Sequence, residues 1–226
     1  YYKKETAAVY IFNTVKHAAE MYDEIIKKYG PEGCYLITSR FCPEDKLYII
    51  DQVNERLKSG KFIRLVATQC VEAGVDFDFP NGAREYAPLD SVIQAAGRVN
   101  RNGKYKGKFL VFKCMEHTRY DYPSAGYKEA SDITFELAKE SGLDFYDLTI
   151  MDEYYKELYN NSLHYRCDSE KLYDSMLVDS YNEVSRNYKV INTDAQITMI
   201  VKPIFAYSTE IDKYISEIEE NGFTIS

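Results

Sequence analysis

Three side chains suited to phosphate chemistry lie close together in VIQAAGRVNRNG, Val92 to Gly103: Gln94, Arg98 and Arg101. A guanidinium is a rigid fork of N–H donors that matches phosphate oxygens. Three residues separate Gln94 from Arg98 and two separate Arg98 from Arg101, on a Gly/Asn-rich turn with no carboxylate beside them. From Arg98 to Lys108 five residues are positive and none is negative. Two arginines on such a turn suit a triphosphate better than a salt bridge. The plainer alternative is a solvated basic hairpin, which leaves unexplained why Gly97 and the arginines follow an apolar helix so tightly. A second stretch, VATQCVEAGVDFD from Val66 to Asp78, offers Thr68, Gly74 and Asp76.

The elements that must position these residues can be read from periodicity. Ala7 to Phe12, Cys34 to Thr38 and Phe62 to Ala67 are short apolar runs. Between them, Val15, Ala18, Tyr22, Ile25 and Tyr29 recur at helical spacing up to Gly30-Pro31, and Leu47, Ile50, Val53 and Leu57 do so up to Ser59-Gly60. A loop of about 20 residues follows, with a short strand near Arg84 to Ala87. Pro88 to Ala96 reads as a helix and Lys108 to Lys113 as a last strand. Strands alternating with helices imply an α/β fold with a parallel sheet and right-handed crossovers.

In such a sheet ligands bind beyond the carboxyl ends of the strands. The three runs are followed there by Asn13-Thr14, Thr38-Ser39-Arg40 and Thr68-Gln69. Hydroxyl and amide groups beside helix N-termini favour phosphates. Three such turns on one edge could follow successive phosphates of a nucleic-acid strand without reading its sequence. Taken singly, Thr14 and Ser39 are better explained as ordinary helix caps, and only the three turns together favour the phosphate reading.

Charge divides the chain. Residues 1–114 carry 18 Lys/Arg and 14 Asp/Glu, a balance of +4; residues 115–226 carry 10 and 22, a balance of −12, which together give −8. Two units are expected, meeting near 114, of which only the first is a plausible polyanion binder. The second should be mostly helical, with amphipathic segments at Tyr127 to Ser141, Asp147 to Ser162 and Ser169 to Ser185. A β-hairpin is expected from Tyr188–Ile191 and Ile197–Val201, and a last helix carries Ile211, Tyr214, Ile215 and Ile218. Its tyrosine-rich faces suit packing better than base stacking. Five cysteines without CxxC spacing argue against a disulfide framework or a zinc site and for a reducing cytoplasm. No apolar run approaches the roughly 20 residues of a membrane span.

TQCVEAGVD followed by QAAGRVNRNG resembles motifs V and VI of superfamily 2 helicases, and residues 1–114 resemble the second RecA-like lobe of such an enzyme. The QAAGRxNR form and the Thr-Gln opening of motif V are most similar to the CRISPR-associated helicase–nuclease of type I interference systems. TSRFCPEDK, Thr38 to Lys46, and NYKVINTDAQITMIVKP, Asn187 to Pro203, resemble further segments of that family. The resemblance implies that Arg101 is the arginine finger reaching the γ-phosphate and that Arg98 also meets the nucleotide phosphates. Gln94 would couple nucleotide state to the cleft, and Asp76, with Gly74 beside it, would lie near the ribose. Thr68 and Gln69, and with them Thr38, Ser39, Asn13 and Thr14, would contact the nucleic-acid backbone.

It also implies ATP with Mg²⁺, single-stranded DNA, a crRNA-guided surveillance complex, and a first RecA-like lobe and nuclease domain in the same polypeptide. The sequence has no GxxxxGK[ST] phosphate loop, no DExH or DExD box and no His-Asp pair. The chain is therefore expected to be a fragment that supplies half of an ATP site and does not turn over alone. The alternatives are a lobe of another superfamily 2 DNA or RNA helicase, and a non-enzymatic nucleic-acid-binding adaptor, which would have no use for an arginine finger.

Overall fold

A computed structural model describes residues 7–104, 106–114, 122–141, 147–161, 172–188, 203–205, 212–213, 216–217 and 220. Its centre is a five-stranded sheet: β1 (Ala8–Ile11), β2 (Cys34–Ile37), β3 (Arg64–Ala67), β4 (Asn81–Glu85) and β5 (Lys108–Phe112). The strand order is β2-β3-β1-β4-β5 and every pairing is parallel, as the alternating pattern implied.

A parallel sheet is covered on both faces, so its central strands are apolar throughout. In β1, Val9 and Ile11 enter one core with Ile37, Leu65, Phe77 and Phe79, while Ala8 and Tyr10 enter the other with Val66 and Ala83. Helix α1 (Val15–Tyr29) covers the second face through Ala18 and Ile25. Helices α2 (Pro43–Lys58) and α3 (Leu89–Ala96) cover the first through Ile49, Val53 and Ala95. Thr14 caps α1 by accepting the His17 N–H at 3.2 Å, and Gly30 closes it at φ 84°. Pro43 opens α2, with Glu44 and Asp45 in its first turn.

Three expectations need correction. The fourth strand starts at Asn81 rather than near Arg84. Asn81-Gly82-Ala83 carries no bulk to signal a strand, because Val99 lies over Gly82: a Cβ there would come within 2.5 Å of Val99 Cγ2. The long loop before it is partly ordered by a 3₁₀ turn, Gln69–Val71. The expected helix from Ser169 to Ser185 is two helices, α6 (Leu172–Leu177) and α7 (Tyr181–Asn187). They break at Asp179, whose φ of 55° lies in the left-handed region that ends helices.

Helices α4 (Ala125–Ser141) and α5 (Leu148–Asn161) pack against α3. Ala130, Ile150, Tyr154 and Leu158 form one buried cluster with Leu89 of α3. Residues 203–205 return to the start of α2, where the buried Asp45 accepts the N–H groups of Ile204 (2.9 Å) and Phe205 (2.7 Å). The expected hairpin lies outside the described residues, as does most of the expected last helix. No helix among the described residues is long and apolar enough to cross a membrane.

Candidate functional site

The parallel register sets Ile11 and Ile37 both opposite Ala67, so the turns after β1, β2 and β3 leave the sheet at one level. Of the residues expected along this edge, Ser39 is exposed, while Asn13, Thr38 and Thr68 are buried. Thr38 Oγ1 accepts the Arg40 N–H at 3.3 Å, and Thr68 Oγ1 donates to Cys70 Sγ at 3.5 Å. Gln69 is half-buried and its Nε2 donates to the Asn13 carbonyl at 2.9 Å. Asn13 is thus internally engaged: its N–H donates to Glu85 Oε2 (2.8 Å) and its Nδ2 to the Tyr86 carbonyl (2.7 Å).

Gly74, Asp76, Arg98 and Arg101 gather along the loop that runs from the carboxyl end of β3 back to the amino end of β4. Phe79 and Val99 form a parallel bridge, with the Phe79 N–H donating to the Arg98 carbonyl at 2.9 Å and the Asn100 N–H to the Phe79 carbonyl at 2.8 Å. That bridge lays the arginine turn against the VEAGVDFD loop. Arg101 Nη1 donates to Asp76 Oδ1 at 2.8 Å, both side chains being exposed. The arginine that lacks a carboxylate in sequence therefore gains one from the fold. Arg98 is half-buried and grips the loop backbone: Nε donates to the Glu72 carbonyl at 3.2 Å, Nη2 donates to the same oxygen, and Nη1 donates to the Val75 carbonyl. Gly74, at φ 74°, turns the loop, with open space where a Cβ would stand. Gln94 is exposed on α3.

Behind the edge lies a polar centre that sequence reading missed. Arg84 is fully buried, with Nε 2.8 Å from Glu72 Oε1 in an ion pair whose N–H does not point along the line of contact. Its Nη1 donates to Asn13 Oδ1 at 2.8 Å and its Nη2 to Tyr127 Oη of α4 at 2.8 Å. Burial pushes the Glu72 carboxyl above its ordinary pKa, against the pull of Arg84. Burial likewise raises the Tyr127 phenol, again with Arg84 opposing. Arg84-Glu85 in a strand buried on both faces was the available signal, since buried charges require partners. The partners themselves, Glu72 and Tyr127, are 12 and 43 residues away in sequence. His17 Nδ1 donates to Glu85 Oε1 at 3.2 Å, and Cys114 completes a group whose ligand atoms lie within 4.8 Å. Glu85 already serves the Asn13 N–H and His17, so both of its oxygens are engaged.

The five-stranded parallel sheet with helices on both faces is a RecA-like fold. Residues 4–104 match the family model described as CRISPR-associated nuclease/helicase Cas3, C-terminal. The CRISPR-associated nuclease/helicase Cas3 of Haloferax volcanii is 38% identical over 79 residues, covering 34% of this chain and 8% of that protein. The putative Cas3 of Methanocaldococcus jannaschii is 30% identical over 176 residues, covering 72% of this chain and 23% of that protein. The chain thus spans less than a quarter of these relatives. The fold is that of the crystal structure of T. fusca Cas3, with TM-score 0.56 at 18% identity over 80% of this chain and 23% of that one. Its AMPPNP form gives 0.54 at 19% identity, over 82% and 23%.

Proposed function

We propose that this chain is the second motor lobe of an ATP-dependent translocase on single-stranded DNA in CRISPR interference, working in the cytoplasm with a crRNA-guided surveillance complex. The observation that carries the reading is the exposed Arg101–Asp76 pair, 2.8 Å apart, on loops that the Phe79–Val99 bridge locks together. An exposed guanidinium on a weak surface pair can transfer to a phosphate at small cost. Asp76 is then released beside Gly74, where a ribose hydroxyl can be accepted. The donor set at this mouth suits a triphosphate, while Mg²⁺ prefers oxygen ligands, chiefly carboxylates. A first lobe would hold Mg-ATP, and Arg101 would stabilise charge developing during phosphoryl transfer only when the lobes close.

On this reading Arg98 acts through the loop it grips, and Gln94 faces the cleft. The DNA backbone passes over the turns after β1, β2 and β3. Ser39 and Gln69 meet it at the rim, with Thr14 beside them, while Asn13, Thr38 and Thr68 hold the turns in shape. Residues beyond 114 begin an accessory region fastened to the lobe through α3. The test is ATP hydrolysis by the complete protein alone, with single-stranded DNA and with single-stranded RNA. Stimulation by DNA supports the reading. Stimulation by RNA alone makes it an RNA motor, and no turnover under any condition makes the lobe an adaptor.

A further inference from the structure

Glu72 is gripped from two sides. Its carboxylate meets Arg84 in an enclosed ion pair, with side-chain exposures of 5% and 0%, while its backbone oxygen accepts from Arg98. The two arginines reach in different directions, Arg84 to the turn at the carboxyl end of β1 and Arg98 to the loop that returns to the start of β4. Arg84 reaches Asn13, whose carbonyl accepts from Gln69, and Tyr127 Oη donates to the same Asn13 Oδ1 at 3.1 Å. Arg98 reaches Val75, next to the Asp76 that holds Arg101. One residue therefore stands between the turn proposed to follow DNA and the mouth proposed to meet nucleotide.

We propose that Glu72 is a positioning residue that couples the two, so that movement of the Arg101–Asp76 mouth is transmitted to the Asn13 turn. The inference rests on the motor reading above. A shift of the 72–76 loop carries the Glu72 carbonyl with it and pulls the carboxylate away from Arg84. Leaving the guanidinium unpaired in a dry interior is strongly unfavourable. Glu85 offers no replacement, because its oxygens serve Asn13 and His17. Arg84 must follow, and with it Asn13 and Tyr127. Contiguous polar contacts of this kind, rather than proximity alone, can carry coupling between sites.

The test uses the complete protein. Glu72→Gln preserves shape and an acceptor for Arg84 but removes the charge. Basal ATP turnover and single-stranded DNA affinity are expected to stay within about twofold of the parent, while stimulation of turnover by DNA falls about five- to tenfold. Arg84→Lys keeps the charge, loses the fork to Asn13 and Tyr127, and is expected to lose stimulation likewise. Amide hydrogen exchange supplies a second readout: in Glu72→Gln, protection should fall both in the 13–15 turn and in the 72–76 loop. Undiminished stimulation in variants that melt like the parent overturns the proposal. So does an equal loss of basal turnover, which would place Glu72 in the reacting site itself. If the parent shows no stimulation by nucleic acid, the motor reading fails instead, and exchange decides alone: loss on both sides of Glu72 supports coupling, and loss on one side overturns it.

Discussion

Arg101→Ala separates what this residue does for the fold from what it does for turnover. In the lobe the side chain is 47% exposed and its one described ion pair is with Asp76, itself 87% exposed. Exposed pairs of this kind contribute about 0.2–1 kcal/mol. At roughly 2–4 °C per kcal/mol for a domain of this size, melting should fall by no more than about 4 °C. An arginine finger contributes about 10³–10⁵ in rate, equivalent to about 4–7 kcal/mol of transition-state stabilisation. The reaction should therefore lose several times more free energy than the fold. The assay is DNA-stimulated ATP hydrolysis by the complete protein, beside its affinity for a labelled single strand and its thermal melting. DNA affinity should hold within about twofold, because Arg101 lies away from the turns proposed to carry the strand. A loss of turnover below about tenfold would refute the finger assignment. An equal loss of DNA affinity would refute the separation of the arginine mouth from the strand path.

Three further outcomes follow from the geometry. Tyr127→Phe deletes the hydroxyl that accepts from Arg84 and donates to Asn13, and should destabilise the chain by about 1–3 kcal/mol in urea unfolding; a change below about 0.5 kcal/mol would show that α4 is not anchored there. Gly107→Ala would place a Cβ 2.9 Å from Asn100 Cβ and 3.0 Å from the Pro80 carbonyl, displacing the arginine turn. Turnover in the complete protein should fall on the order of tenfold with DNA affinity little changed, and unchanged turnover would mean that the turn tolerates the displacement. Glu72 holds its proton more tightly folded than unfolded, so its contribution to stability is complete below the ordinary glutamate pKa and is lost as pH rises through the raised folded value. The stability of Glu72→Gln relative to the parent should therefore improve between pH 4 and pH 7 in urea titrations, and a flat or opposite trend would show that Arg84 outweighs burial.

Much of the scaffold was legible because local patterns carried it. The apolar runs around Val9, Leu36 and Leu65 could be only short buried strands between amphipathic helices, and the two loop motifs carried the family resemblance. The fourth strand was placed late because glycine at position 82 conceals a strand wherever another loop lies against the sheet. The break at Asp179 escaped periodicity because Leu172, Met176, Ser180 and Val184 keep a helical stripe through a left-handed residue. The candidate edge was read as a row of hydroxyl and amide groups, and their burial could not be read, since Thr38 and Ser39 are neighbours in sequence yet one is buried and the other exposed.

The sequence by itself determined the alternation of strands and helices, the capping of α1 by Thr14, and the placing of Gln94, Arg98 and Arg101 at the end of one helix. Those features depend on spacing and residue type within a few turns of chain. Only the tertiary structure decided which charges meet. Asp76 reaches Arg101 across 25 residues, and Arg84 finds Glu72 and Tyr127 across 12 and 43. A buried or bridging charge is settled by the partners that folding delivers, and because electrostatic pairing acts through space, sequence separation carries no record of it.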